Sequence, residues 1–344
     1  MNFASDNTSG ISPEILAALA AANDGTVGSY GADPVTARLQ AKLADLFEHE
    51  VAVFPVATGT AANALALAAV TPPWGAVLCH PLAHINCDEA NAPEFYTGGA
   101  KLVAVPGVDG KLAAADLAAL LPGELGNVHS AQPAAISLTQ ATECGTAYRP
   151  SEIAEIATLA HRHGLAVHMD GARFANALVH LDVSPADLTW RSGVDVLSFG
   201  ATKNGALGAE AIVFFEPARA KDLPFRRKRA GHLFSKMRFL SAQLDAYVTD
   251  DLWRRNARHA NLAATRLAEG LAALPGVRLR HPVEANELFV EMPEALISGL
   301  FEAGAKFYRW QGATSTCVRL VTAWNTADAD VATFLATAGR LVKA

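Results

Sequence analysis

Short, almost unbroken apolar runs alternate with helical stretches through the first two-thirds of the chain. Residues 51–56, 76–80, 101–105, 134–139, 165–170, 194–199 and 211–215 are apolar at nearly every position. A strand with one wet face alternates in polarity, whereas a strand buried on both faces is apolar throughout. Between these runs, residues 34–49, 60–70, 113–121 and 150–163 read as helices. The alternation predicts an α/β fold: a mostly parallel, seven-stranded sheet with helices on both sides.

The pattern changes after residue 225. A long helical region over 234–274 precedes strands at 277–281 and 287–292 and a helix at 293–304. Strands at 306–311 and 317–322 and a last helix from residue 327 follow. We expect a large domain over residues 1–250 and a small α+β domain over 251–344, with residues 1–20 packing across both. At 344 residues the chain has room for two such units. A net charge of −6 points away from nucleic acid. The one basic run, Arg226-Arg227-Lys228-Arg229, reads as a solvated helix start, a polyanion patch, or a loop reaching a phosphate in a neighbouring subunit. Cys79, Cys87, Cys144 and Cys317 show no CxxC spacing, which suits free thiols in a reducing compartment better than disulfides or zinc. With no signal-peptide core, no membrane-length apolar run and no cluster of metal ligands, the expectation is a soluble cytoplasmic protein without a bound metal.

Three segments carry chemistry. Ala57-Thr58-Gly59-Thr60-Ala61-Ala62-Asn63 follows the first apolar run and opens a helix, where glycine and free N–H groups can receive a phosphate. A capped helix start reads the same way. Asp170 ends the run 165–170, and Arg173 lies three residues on. The acid is either a turn residue or a partner for a protonated ring nitrogen. The arginine is either a surface ion-pair member or a fork for a substrate carboxylate. Lys203 follows the run 194–199 among Gly200, Ala201, Thr202, Gly205 and Gly208, which leave space for a flat cofactor. A lysine and an aspartate at neighbouring strand ends form the minimal set for pyridoxal 5′-phosphate (PLP). The lysine supplies the Schiff-base amine and the aspartate keeps the pyridine nitrogen protonated. His84, just after the run 76–80, is placed either to stack on such a ring or to serve the structure. His161 and His163, at a helix end, read as partners of the helix dipole.

Together these segments resemble the threonine aldolase family of fold-type-I PLP enzymes. The resemblance runs through Ser5-Asp6-Asn7-Thr8, Tyr30-Gly31-Ala32-Asp33-Pro34, Thr58-Gly59-Thr60 with Asn63, and Ala83-His84. It continues through His168-Met169-Asp170-Gly171-Ala172-Arg173, the Lys203 segment and Val318-Arg319-Leu320-Val321-Thr322. It implies that Lys203 bonds the cofactor, Asp170 faces its ring nitrogen, Gly59 and Thr60 bind its phosphate, and His84 stacks over the ring and helps at the β-hydroxyl, where either His84 or Glu143 takes the proton. Ser5, Arg173 and Arg319 would hold the substrate carboxylate. The implied assembly is a homotetramer with shared sites, to which Tyr30 and Arg229 would come from a neighbour. Many members carry a His-Asn pair after the fourth strand; here the segment reads Gln140-Ala141-Thr142-Glu143-Cys144-Gly145, with Glu143 near the histidine position. The branch of low-specificity and phenylserine-cleaving aldolases reads similarly, and it makes Glu143 a candidate catalytic residue beside His84. The implied reaction is retro-aldol cleavage of a β-hydroxy-α-amino acid to glycine and an aldehyde. The nearest rival is β-elimination to a 2-oxo acid and ammonia on the same scaffold. A non-catalytic ligand-binding protein is a rival of another class. A nicotinamide dehydrogenase is disfavoured because no GxGxxG follows the first strand.

Overall fold

The computed structural model describes residues 1–310 and 316–343. Seven strands form the larger sheet: β1 Ala52–Val56, β2 Gly75–Cys79, β3 Lys101–Ala104, β4 Gln132–Thr139, β5 Ala166–Gly171, β6 Val196–Gly200 and β7 Glu210–Phe214. Their order is β1-β7-β6-β5-β4-β2-β3. The β3-β2-β4-β5-β6 pairings are parallel, while β7 runs against both β1 and β6. The expected mostly parallel sheet is therefore present, with β7 as the reversed strand. Every residue of β2, β5, β6 and β7 is buried, which accounts for the unbroken apolar runs.

This topology brings the C-terminal ends of β1, β4, β5 and β6 and the N-terminal end of β7 to one edge. Polar residues enter the strands there. Thr139 pairs with Asp170, and Glu210 lies opposite both Gly200 and Val56. Ligands of open α/β sheets bind beyond such an edge.

A second, antiparallel sheet has the order β10-β11-β9-β8, with β8 Arg278–Leu279, β9 Glu287–Glu291, β10 Tyr308–Arg309 and β11 Cys317–Val321. The expected strand 306–311 is shorter, and Gln311 lies outside the described residues. Each sheet has its own hydrophobic core. The helix Leu252–Ala272 feeds both, giving Leu252, Trp253 and Ala257 to one and Ala263, Leu267 and Leu271 to the other. The N-terminal segment is likewise divided, with Ile15 in the first core and Phe3 in the second.

Two local expectations are corrected. The helical region 234–274 is two helices, Arg238–Tyr247 and Leu252–Ala272, separated at Asp250 and Asp251, whose φ values of 50° and 58° are left-handed. Aspartate tolerates that conformation better than most residues, so the break is local. The basic run is the end of the helix Leu223–Arg229, not its start. Pro224 sits in that helix's first turn, and Arg227 is buried with its Nη1 donating to the Pro55 carbonyl at 3.2 Å.

Phe199, on β6, is fully buried with Phe47, Phe174, Tyr247 and Trp253 around it at ring distances of 5.8–6.1 Å. The cluster braces the strand that carries Lys203. Phe199→Ala should cost about 3–5 kcal/mol of stability from lost burial and the cavity left behind. A denaturant titration giving less than 1 kcal/mol would show that the ring cluster is not the brace.

Candidate active site

The helix Gly59–Val70 begins directly beyond β1. Thr58 Oγ1 caps it by accepting the Ala61 N–H at 3.1 Å. The Gly59 and Thr60 peptides have no acceptor among the described residues, and a side chain at Gly59 would meet nothing within 4 Å. Open space therefore stands against uncapped, electropositive N–H groups.

From the same helix Asn63 reaches inward. Its amide nitrogen donates to Asp170 Oδ2 and to Glu89 Oε1, both at 2.8 Å. Asp170 Oδ1 accepts the Ala172 N–H at 3.0 Å, so the carboxylate is oriented from two sides. Glu89 Oε1 also lies 2.8 Å from His84 Nδ1. The His84 backbone N–H donates to Glu143 Oε1 at 2.8 Å, and the Thr139 hydroxyl donates to the same oxygen at 2.9 Å. The second oxygens of Glu89 and Glu143 are buried without a partner.

Lys203 leaves a tight turn whose next residue is pinned. Asn204 donates to the Tyr247 hydroxyl and the Trp253 carbonyl at 2.9 and 2.8 Å, and Asn256 donates to the Asn204 carbonyl at 2.9 Å. Gly205 has φ +113°, and a Cβ there would come within 2.9 Å of Asn256 Nδ2, so the turn requires glycine. These elements enclose a cavity of about 280 Å³ lined by Lys203, Asp170, His84, Glu143, Glu210 and the Thr58–Thr60 peptides.

Burial dominates the charges here. It pushes Glu143 up to about 7, with the Asp170 carboxylate adding to the rise and hydrogen bonds opposing it. Glu210 is pushed up to about 7 for the same first reason, against hydrogen bonding from Thr202 and the Lys203 charge. Burial also raises Glu89, while the hydrogen bond from His84 pulls it back. His84 is raised, chiefly by that bond to Glu89. Asp6 is held low although burial works against it, because Arg173 and then Lys203 stabilise its charge.

Arg173 is tied into a buried cluster. Nε lies 2.8 Å from Asp6 Oδ2, and Nη2 lies 3.1 Å from Asp6 Oδ1 and 2.5 Å from Glu287 Oε1.

The sequence matches the family described as beta-eliminating lyase over residues 2–295. It is 46% identical to the low specificity L-threonine aldolase of Pseudomonas aeruginosa over 94% of this chain and 93% of that one. To the enzyme of the same description from Pseudomonas sp. it is 44% identical, over 96% and 94%. The chain belongs to the threonine aldolase family. Its fold superposes on the threonine aldolase of Leishmania major with a TM-score of 0.93 and 30% identity, covering 99% of both chains.

The site residues expected from this family divide into two groups. Gly59, Thr60, His84, Glu143, Asp170, Arg173 and Lys203 line one cavity. Ser5, Tyr30, Arg229 and Arg319 do not line it. Ser5 caps the turn Asp6–Thr8. Tyr30 is exposed with the Lys228 ammonium 4.7 Å from its ring centre, and Arg229 is exposed on its helix. The Arg319 guanidinium rests against the Tyr308 and Trp310 rings. His161 pairs with Asp195 at 3.0 Å, and neither lines the cavity.

Sequence reasoning missed Asn7, Glu89 and Glu210 as cavity residues. A charged residue opening the wholly apolar β7 was the available signal for Glu210. Glu89, five residues beyond His84 in a turn, gave none.

The Glu143 shift has a measurable consequence. Its protonated form is favoured in the folded chain, so stability is fully present below its ordinary value of 4.5 and falls as pH rises towards about 7. The loss is about 3 kcal/mol if the whole shift is expressed. Glu143→Gln should flatten that part of the stability profile between pH 5 and 8. An unchanged slope would place the burial cost elsewhere.

Proposed function

We propose that this chain is a PLP-dependent aldolase. It cleaves L-threonine, L-allo-threonine and related β-hydroxy-α-amino acids such as phenylserine to glycine and an aldehyde. The observation that carries the reading is the meeting of Lys203, Asp170 and the uncapped helix start Gly59–Thr60 around one cavity. Those residues fit the cofactor: open space at Gly59 for a phosphate, a doubly oriented carboxylate for the ring nitrogen, and an amine on a pinned turn. When bound, PLP supplies an electron sink for the pair left by the breaking Cα–Cβ bond.

The chain's own groups do the rest. Asp170 holds the proton at the ring nitrogen, and Asn63 and the Ala172 N–H keep its carboxylate in place. Arg173 binds the substrate carboxylate. Asp6 and Glu287 engage its Nε and Nη2, which leaves Nη1 for that contact. By holding the carboxylate, Arg173 would fix which bond at Cα is presented for cleavage. Glu143 takes the β-hydroxyl proton. Its second oxygen is buried and unpartnered, and near pH 7 it is close to half ionised, so it can accept and return a proton. His84, whose protonated form the bond to Glu89 favours, would lie against the cofactor ring.

Ser5 adjoins Asp6, and Arg319 lies on β11 opposite Phe289, two residues from Glu287, so both belong to the carboxylate end. In a homotetramer Tyr30 and Arg229 reach a neighbour's cofactor. Their exposure and distance from their own chain's cavity lining, with Phe225 78% and Leu207 61% exposed, support that assembly. No described helix is long and apolar enough to cross a membrane, which suits the cytoplasmic reading.

Incubation with L-threonine and with L-phenylserine, followed by proton NMR, should give glycine with acetaldehyde or benzaldehyde. A 2-oxo acid and ammonia would mean β-elimination on the same scaffold. Lys203→Ala should lose nearly all turnover, and near wild-type rates would remove the assignment. Glu143→Gln should lower kcat by about 10²–10⁴-fold. It should also erase the acid limb of the rate profile near pH 7.

A further inference from the structure

One buried carboxyl at the cavity has no part in the steps above. Glu210 opens β7, and its register opposes Val56, which leads into Thr58–Thr60, and Gly200, which leads into Lys203. It therefore stands between the proposed phosphate and amine ends of the site. Its Oε2 accepts the Ala201 N–H at 3.1 Å and its Oε1 the Thr202 N–H at a longer 3.4 Å. The Thr202 hydroxyl in turn accepts the Ala209 N–H at 3.2 Å. The two peptides before Lys203 are thus strapped to the start of β7. Among the described residues Glu210 has no cation within 4 Å, and no carboxylate lies that close to Lys203 Nζ. The Lys203 charge acts on both Glu210 and Asp6, but Asp6 is already neutralised by Arg173.

We propose that Glu210 is a positioning residue for Lys203: it fixes the turn from which the amine enters the cavity and, when ionised, is that amine's counter-charge. The proposal rests on the assignment of Lys203 to the cofactor. Burial pushes Glu210 up to about 7, so the counter-charge grows in as pH rises through neutrality. An ionised carboxylate beside an amine stabilises its charged form, and the free amine is the form that bonds a carbonyl. Glu210 also acts on Tyr247, which burial keeps neutral. His232, beside the end of β1, is lowered by burial. The electrostatic partner of Glu210 is therefore Lys203.

The test is the rate at which the full chain, freed of cofactor, takes up added PLP, followed by the absorbance of the protein-bound cofactor from pH 6 to 9. Glu210→Gln keeps the shape and an oxygen acceptor but cannot ionise. It should load at the wild-type rate near pH 6 and about tenfold faster by pH 8.5, while Glu210→Asp returns towards wild type. Superimposable profiles overturn the proposal. So does a Glu210→Gln rate reduced equally at every pH, which a purely structural strap would give. Thermal melts confirm that the variants are folded. If the wild type takes up no PLP at all, or Lys203→Ala loads as the wild type does, the assignment of Lys203 falls and this proposal falls with it. If the wild type loads normally and only the pH contrast is missing, the Glu210 proposal alone is lost.

Discussion

Arg173 leaves the edge of the larger sheet and meets carboxylates from opposite ends of the chain, Asp6 and Glu287, both almost fully buried. Three charges taken out of water repay their desolvation only when geometry and hydrogen bonding are good. Here the planar fork engages Asp6 through two nitrogens, and Asn286 adds a donor to Asp6 Oδ2 at 3.0 Å. A lysine could not make that paired contact. Asp6 belongs to the N-terminal segment and Glu287 to β9 of the second sheet, so the cluster ties both to Arg173 at the cavity. Removal of one partner would strand a buried charge, a loss of about 3–5 kcal/mol.

Because the cluster satisfies most of Arg173, the remaining cavity is rich in acids. Asp170, Glu89, Glu143 and Glu210 face Lys203 and His84. Four full negative charges in so small a volume would repel, and burial lessens this by pushing Glu143 and Glu210 up to about 7, so that both carry less than a full charge at neutral pH. The same burial that lets the acids coexist brings the titration of two of them close to neutral pH. Charge balance and near-neutral titration thus have one physical origin.

How much of this was legible in the chain follows from the range of the interactions. The seven strands were readable because burial on both faces writes itself into consecutive residues. The loop 57–60, Asp170 and Lys203, which meet at the cavity, could be singled out because each lies at or just beyond the end of such a run. Asn63 bridging Glu89 to Asp170 joins residues 26 and 107 positions apart, and no local pattern announces it. The basic run looked like a helix start because charge is read locally, whereas Pro224 sets the true start. The break at Asp250–Asp251 was hidden because flanking sequences of helical character mask a two-residue change of backbone hand. Arg173 was legible as a fork but not as one already engaged, since its partners lie 167 residues before and over a hundred after it.

That prior engagement bears on how the site works. A free arginine would change its partners and its hydration as a substrate carboxylate arrived, and part of the binding energy would go into ordering it. With Nε and Nη2 fixed by Asp6 and Glu287, the guanidinium plane is set before any ligand enters, and the ordering cost falls on folding. A single remaining edge is a weaker hold than a two-point fork, however, and it leaves a carboxylate free to swing about one contact. The second point must come from beside it. Asn7, next in the chain to Asp6, lines the cavity and is carried there by the same cluster. The buried ion cluster therefore fixes one cation directly and a neighbouring amide through the backbone. On the proposed assignment of Arg173 to the substrate carboxylate, both would be set in place before a ligand enters.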